Sequence, residues 1–176
     1  DWYANGLQTV MIAAGKKVYA WDNQGILLPR FPIEMEEDIV QPLQVLDLDL
    51  NSSLDILVAT NDRNLHVLDA KGDPLRGWPV RLNASATAQA KVENWDGRRG
   101  VFVAARNVIH AININGSNRA GFPIFLSSDI STPVLPTSKH LLVGDQSGAI
   151  TSIGKSDYFT GSYFGEKIEL SRVLSD

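Results

Sequence analysis

Residues 54–80 read Leu54-Asp-Ile-Leu-Val-Ala-Thr-Asn-Asp-Arg-Asn-Leu-His-Val-Leu-Asp-Ala-Lys-Gly-Asp-Pro-Leu-Arg-Gly-Trp-Pro-Val80. Two apolar runs of strand length, 56–60 and 65–69, are joined by a short polar connection. A four-residue turn from Asp69 to Gly72 follows, and a third extended piece ends in Gly77-Trp78-Pro79. Asp at the first position and Gly at the fourth suit a type I turn, because the short carboxylate bonds the turn backbone and Gly accepts positive φ. Pro79 has no N–H to donate, so the strand that carries it belongs at a sheet edge.

The unit recurs. One copy covers residues 10–25 with Phe31-Pro32-Ile33, and another covers 101–116 with Gly121-Phe122-Pro123-Ile124. The turn glycines Gly25, Gly72 and Gly116 lie 47 and 44 residues apart, and Pro32, Pro79 and Pro123 keep the same spacings. A fourth copy starts at His140 and runs to Ile153, then loses both the turn glycine and the aromatic-proline pair.

Along 65–68, Leu65 and Val67 point one way, His66 and Leu68 the other. The equivalent strands 18–21 and 108–112 are also apolar on both faces. A hairpin-linked antiparallel sheet usually exposes one face, so sheets of this kind must be stacked on both sides. Repeats of about 45 residues that do so are propeller blades. The expected fold is therefore all-β: a β-propeller of about four 4-stranded antiparallel blades, at 1–38, 39–83, 84–128 and 129–165, with a tail or closing strand at 166–176. Residues 1–8 are too short and polar for a full inner strand, which leaves the first blade open at its inner edge. Two architectures follow. One is a partial wheel belonging to a larger propeller. The other is a closed four-bladed wheel in which 167–173 fills the gap in the first blade.

Composition narrows the function classes. A net charge of −4 gives no basic footprint for nucleic acid. The chain has no cysteine, so disulfides, thiolate metal sites and thiol nucleophiles are excluded. No apolar run approaches the roughly 18 residues of a membrane span. The opening at Asp1, without Met, suggests a piece of something longer. His66 and His110 occupy equivalent repeat positions, which reads as packing, and Phe31, Trp78 and Phe122 read as aromatics between blades.

Residues 45–60, Val-Leu-Asp-Leu-Asp-Leu-Asn-Ser-Ser-Leu-Asp-Ile-Leu-Val-Ala-Thr, resemble the repeat of FG-GAP/VCBS propellers, whose loops read D-x-D-G-[DN]-G-x-x-D before an apolar strand. Such repeats form the propeller head of integrin α subunits and occur in bacterial surface proteins. Residues 18–25 and 65–72 look equally like the repeats of PQQ-type propellers. The resemblance covers about residues 9–154. In the first family the loop binds Ca²⁺, and the matching positions here are Asp47, Asp49, Asn51 and Asp55, with the Ser53 carbonyl as a further ligand. The chemistry is that of a hard cation, since Ca²⁺ takes 6–8 oxygens. Leu50 and Ser52 stand where the family has glycine, and a left-handed backbone costs roughly 1–2 kcal/mol at each. Leu46, Leu48 and Leu50 alternating with Asp47, Asp49 and Asn51 also fit a half-exposed strand. The corresponding loop in the third repeat, 92–100, has lost the first and last acids and gained Arg98 and Arg99.

The resemblance implies a non-enzymatic recognition scaffold for a protein or carbohydrate ligand, extracellular, at the cell surface or periplasmic, with Ca²⁺ in one loop. The remaining blades would come from the parent chain or from a homo-oligomer. The alternatives are a fragment of a PQQ-type quinoprotein dehydrogenase, or a structural subunit of a surface assembly.

Overall fold

A computed structural model describes Trp2, Gly6, residues 8–154 and residues 166–168. Every regular element in it is a strand. The first sheet is β1 (Val10–Ala14), β2 (Lys17–Trp21) and β3 (Ile33–Glu34). The second is β4 (Gln44–Leu46), β5 (Asp55–Ala59), β6 (Asn64–Leu68) and β7 (Val80–Arg81). The third is β8 (Lys91–Trp95), β9 (Arg98–Ala105), β10 (Val108–Asn113) and β11 (Ile124–Phe125). The fourth is β12 (Leu135–Pro136), β13 (His140–Gly144), β14 (Ile150–Gly154) and β15 (Glu166–Ile168). All four sheets are antiparallel meanders in chain order.

The turns that mark the repeat form for the reasons the residues suggest. Asp69 Oδ1 accepts the N–H groups of Lys71 at 2.8 Å and Asp73 at 3.0 Å, and Asp22 Oδ1 does the same for Gln24 at 2.9 Å and Ile26 at 2.8 Å. In the third repeat Asn113 donates from its amide to Ser117 Oγ at 3.0 Å instead. The turn does not lead straight into a full strand. The chain returns along the preceding strand for a single bridge, as in Leu68↔Pro74, leaves the sheet, and rejoins it after the aromatic-proline pair as the outermost strand. Pro32, Pro79 and Pro123 immediately precede β3, β7 and β11, each two residues long. Their place at the sheet edge is as the missing N–H requires.

The sheets stack face to face. Leu57, Ala59, Leu65 and Val67 of the second blade pack with Val101, Val103 and Ile112 of the third. Phe102, Ala104 and Ile109 on the other face of the third blade pack with Leu141, Val143 and Ile153 of the fourth. Val18 and Ala20 of the first meet Ile56 and Val58 of the second. The second and third blades are thus buried on both faces, in line with the two-sided apolar strands. Phe31, Trp78 and Phe122 are each buried in one of these three interfaces. Trp2 joins the first of them, edge-on to Phe31 at 6.0 Å.

Among the described residues no core cluster joins the first blade to the fourth. The segment weighed as a closing strand for the first blade contributes Glu166–Ile168 to the fourth sheet, where Lys167 pairs with Thr151. Residues 155–165 and 169–176 lie outside the described residues. Among the described residues the first sheet has three strands, with β1 at its inner edge. The described residues build a partial fan of blades.

Candidate metal centre

The hairpin between β4 and β5 carries the acidic loop. Pairing of Leu46 with Asp55 sets the two ends of the loop side by side. Leu48, buried in the core between the second and third blades, pins the loop to the body. Its N–H donates to Asp55 Oδ2 at 2.8 Å. Around that anchor the backbone curls. Asp47 accepts the N–H of Asn51 at 3.0 Å on Oδ1 and that of Ser52 at 2.9 Å on Oδ2. Leu50 and Ser52 take φ of 62° and 71°, so the two positions where the family motif has glycine are left-handed here too.

The curl brings the three expected carboxylates together. Carboxylate oxygens of Asp47, Asp49 and Asp55 lie within 4.8 Å of one another. Asn51 and Ser53 serve the turn: Asn51 donates its amide to Asp49 Oδ2 at 3.0 Å and accepts the Ser53 N–H at 2.7 Å. The reading of residues 46–51 as a plain half-exposed strand therefore fails beyond Leu46, where β4 ends.

Asp55 is the informative member. It is fully buried, and its Oδ1 has no hydrogen-bond partner. Burial raises its pKa above the ordinary carboxylate value. The Leu48 N–H opposes the rise, and the charges of Asp49, Asp47 and Asp69 add to it. A buried carboxylate oxygen without a partner is uncommon and costly. Two neighbouring carboxylates aggravate the cost, and a hard cation relieves it. The donor set is all oxygen, which suits Ca²⁺ rather than a thiophilic metal. The residues present therefore fit the ion.

The third blade shows what replaces the loop. Its β8–β9 connection is a two-residue turn, Asp96-Gly97, with both residues at positive φ of 57° and 70°. Arg99 reaches back from β9 and donates to the Asp47 carbonyl at 3.0 Å, which ties the acidic loop to the next blade. Arg119 lies over the Phe102 ring at 5.2 Å and donates to the carbonyls of Trp95 and Arg98 at 3.1 and 2.7 Å. It lines a bowl of about 380 Å³ with Trp95, Arg98 and Phe122. Beyond the aromatic before Pro123, nothing in the residue pattern signals this bowl.

The two repeat histidines are held within the fold. His66 Nε2 lies 3.1 Å from Thr60 Oγ1, which also donates to Asp62 at 2.6 Å. Burial lowers the His66 pKa against the pull of Asp62 and Glu36. His110 Nε2 accepts the Asn83 N–H at 3.4 Å, and burial lowers its pKa to about 4.

Compared with known proteins, no protein-family model matches the chain, and no curated protein matches it in sequence. Solved structures do match. BBS1N, crystallised in complex with ARL6DN and soaked with lead, superposes on 92% of this chain with a TM-score of 0.65 at 16% identity. The fold is that of a β-propeller. The computationally designed Ika4 protein matches over 86% of both chains, with a TM-score of 0.61 and 16% identity. The designed Ika8 protein matches over 83% of this chain, with a TM-score of 0.59 and 18% identity. The chain spans about half the length of BBS1N and of Ika8, at 48% and 44%.

Proposed function

We propose that this chain is a non-catalytic recognition scaffold. Its propeller loops bind a protein or glycan partner, and one Ca²⁺ is held by Asp47, Asp49 and Asp55 in the β4–β5 hairpin. The observation that carries the reading is the unpartnered Asp55 Oδ1, buried beside two further carboxylates. The left-handed residues at 50 and 52 favour the FG-GAP/VCBS type of repeat over the PQQ type. A bound cation would supply positive charge at the end of β4 and β5, cancel the repulsion among the three acids and stiffen the loop. Loops held on a rigid scaffold are where partners dock.

Two further observations support a binding role without chemistry. His66 and His110 are engaged with Thr60 and Asn83, and burial keeps both neutral. BBS1N, a similar fold, was crystallised in complex with ARL6DN, so blades of this kind can serve as a protein platform. Three carboxylates with few other fixed donors suit the weak end of Ca²⁺ affinity, about 10⁻⁴–10⁻³ M, which is typical of extracellular modules. An affinity of that class supports a location outside the cell, on its surface or in a periplasm.

Calorimetry on EGTA-treated protein tests the reading. Ca²⁺ should bind at one site, Mg²⁺ should give less heat, and saturating Ca²⁺ should raise the melting temperature. At 100 times Kd the gain is about 2.7 kcal/mol. No heat and no melting shift would overturn the Ca²⁺ assignment.

A further inference from the structure

We propose that Arg99, from the third blade, is the positioning residue of the acidic loop, so that a cation held in the second blade also tightens the junction between the second and third blades. This rests on the Ca²⁺ site assigned above and extends it across a blade boundary.

The third blade carries a substitute for the loop. Register fixes the correspondence: Val45 pairs with Ile56 and Leu46 with Asp55, as Val92 pairs with Val101 and Glu93 with Gly100. Gly100 therefore stands where the second blade has Asp55, and Arg99 stands where it has Leu54. The buried ligand position has become a glycine with a guanidinium beside it. Arg99 Nη2 donates to the Asp47 carbonyl at 3.0 Å. Its Nε is buried with no partner among the described residues, so the side chain gives up solvation to hold this bond across the boundary.

Two ties run from the carboxylates to the third blade. One is direct: Asp47 brings a carboxylate to the cluster while its carbonyl accepts from Arg99. The other runs through Leu48. Its N–H donates to Asp55 Oδ2 at 2.8 Å, and its side chain is buried in the core that includes Val101, Val103 and Ile112. Asp49, exposed at the tip, is bonded within the loop by Asn51. Two of the three carboxylates thus cannot shift without disturbing a contact with the next blade.

Without a cation, the three carboxylates repel one another across 4.8 Å or less, and Asp55 Oδ1 is buried unpartnered. That repulsion works against both ties, because Asp47 and Asp55 sit at their ends. A cation on the carboxylates removes it. Linkage makes the effect reciprocal: the factor by which the ties raise cation affinity is the factor by which the cation favours the closed junction. Coulomb's law alone gives the opposite sign. A bystander guanidinium repels an incoming cation, so its removal would tighten Ca²⁺ binding. Removal of a positioning Arg99 weakens it.

The experiment uses the full chain and Ca²⁺ itself, with calorimetry for affinity and peptide-resolved hydrogen exchange for the junction. In the wild type, Ca²⁺ should slow exchange over residues 46–55 and also over 91–101, while β13 in the fourth blade keeps its rate. Arg99→Met keeps the stem and removes the donor. It should still take up one Ca²⁺, bind it about 5-fold or more weakly, and lose most of the added protection over 91–101. Arg99→Lys keeps the charge and a donor. A bond to one carbonyl is within reach of an ammonium group, so this variant should restore both. The wild-type exchange pattern needs no variant and stands even if Arg99→Met fails to fold. Ca²⁺ heat with protection confined to 46–55, or an Arg99→Met chain that binds Ca²⁺ as tightly as the wild type or more so, overturns this inference and leaves the Ca²⁺ site standing. No heat in the wild type overturns the site and this inference with it.

Discussion

Gly77 and Gly116 approach each other so closely across the second and third blades that neither can carry a side chain. A Cβ on Gly77 would stand 2.0 Å from the Asn115 carbonyl oxygen, and one on Gly116 would stand 2.0 Å from that of Gly77. Both residues are also left-handed, at φ of 90° and 80°. The loop before Trp78 is thereby pressed onto the turn of the next blade, where Trp78 Nε1 donates to the Ile114 carbonyl at 3.0 Å.

Gly116→Ala should therefore lose stability twice over, about 1–2 kcal/mol from the backbone conformation and about 1–3 kcal/mol from overlap with backbone that cannot swing away. Gly97→Ala is the control: φ is 70°, but nothing lies within 4 Å of the added carbon. It should show the first loss alone. Urea titrations of the two variants measure the difference, and equal losses would mean the close approach is relieved at no cost.

Asp55→Asn should raise stability in EGTA and abolish any response to Ca²⁺. The pKa of Asp55 is raised, so its ionised form burdens the folded state at neutral pH, and stability is regained as the pH falls through that raised value towards the ordinary carboxylate range. The amide removes the charge, keeps an acceptor for the Leu48 N–H and offers N–H groups to Asp47 and Asp49. An apo melting temperature higher by about 2–4 °C, the equivalent of roughly 1 kcal/mol in a chain of this size, is the expected result.

Leu50→Gly should stabilise the loop. Leu50 is 69% exposed and buries little, yet it holds a left-handed backbone. Relief of about 1–2 kcal/mol, less the extra flexibility glycine gains when unfolded, about 0.5–1 kcal/mol, leaves a gain below about 1.5 kcal/mol. Chemical denaturation with and without Ca²⁺ would show it, and a loss would indicate that the Leu50 side chain holds the loop.

His110 sets a pH dependence of definite sign. Its pKa is lowered to about 4 in the folded chain against about 6.5 unfolded. Its contribution is complete above pH 6.5 and is lost as the pH falls to about 4, a change of about 3 kcal/mol at most. His110→Gln retains an acceptor for the Asn83 N–H and should flatten the stability profile over that interval. Denaturant midpoints of both proteins between pH 7 and 4 decide the matter.

What could be seen in the chain beforehand was local or repeated. Asp69 and Gly72 announce their turn, Pro79 announces an edge, and the two-sided apolar pattern of 65–68 announces stacking, because each depends on neighbours a few residues away. Val10 and Ile12 show the limit. Their sequence context matches that of Ile56 and Val58, yet one pair is exposed and the other buried, since the pattern cannot say whether a neighbour is present. The outer strand of the fourth blade was hidden for a related reason, as its repeat has lost the glycine and aromatic-proline landmarks that place β3, β7 and β11. At the acidic loop the sequence pointed to the three carboxylates that the fold brings near one another, but Leu50 and Ser52 spoke against the curl. The anchoring of Leu48 and the hydrogen bonds to Asp47 outweigh that penalty.

The brevity of β3, β7 and β11 has a bearing on solubility. In the first three blades a perimeter of two-residue strands, each entered through a proline, gives an incoming chain almost no ladder to copy. Fibrous growth from the rim is thereby denied a template. Around those three blades, association is left to the sheet faces, where side-chain fit selects the partner.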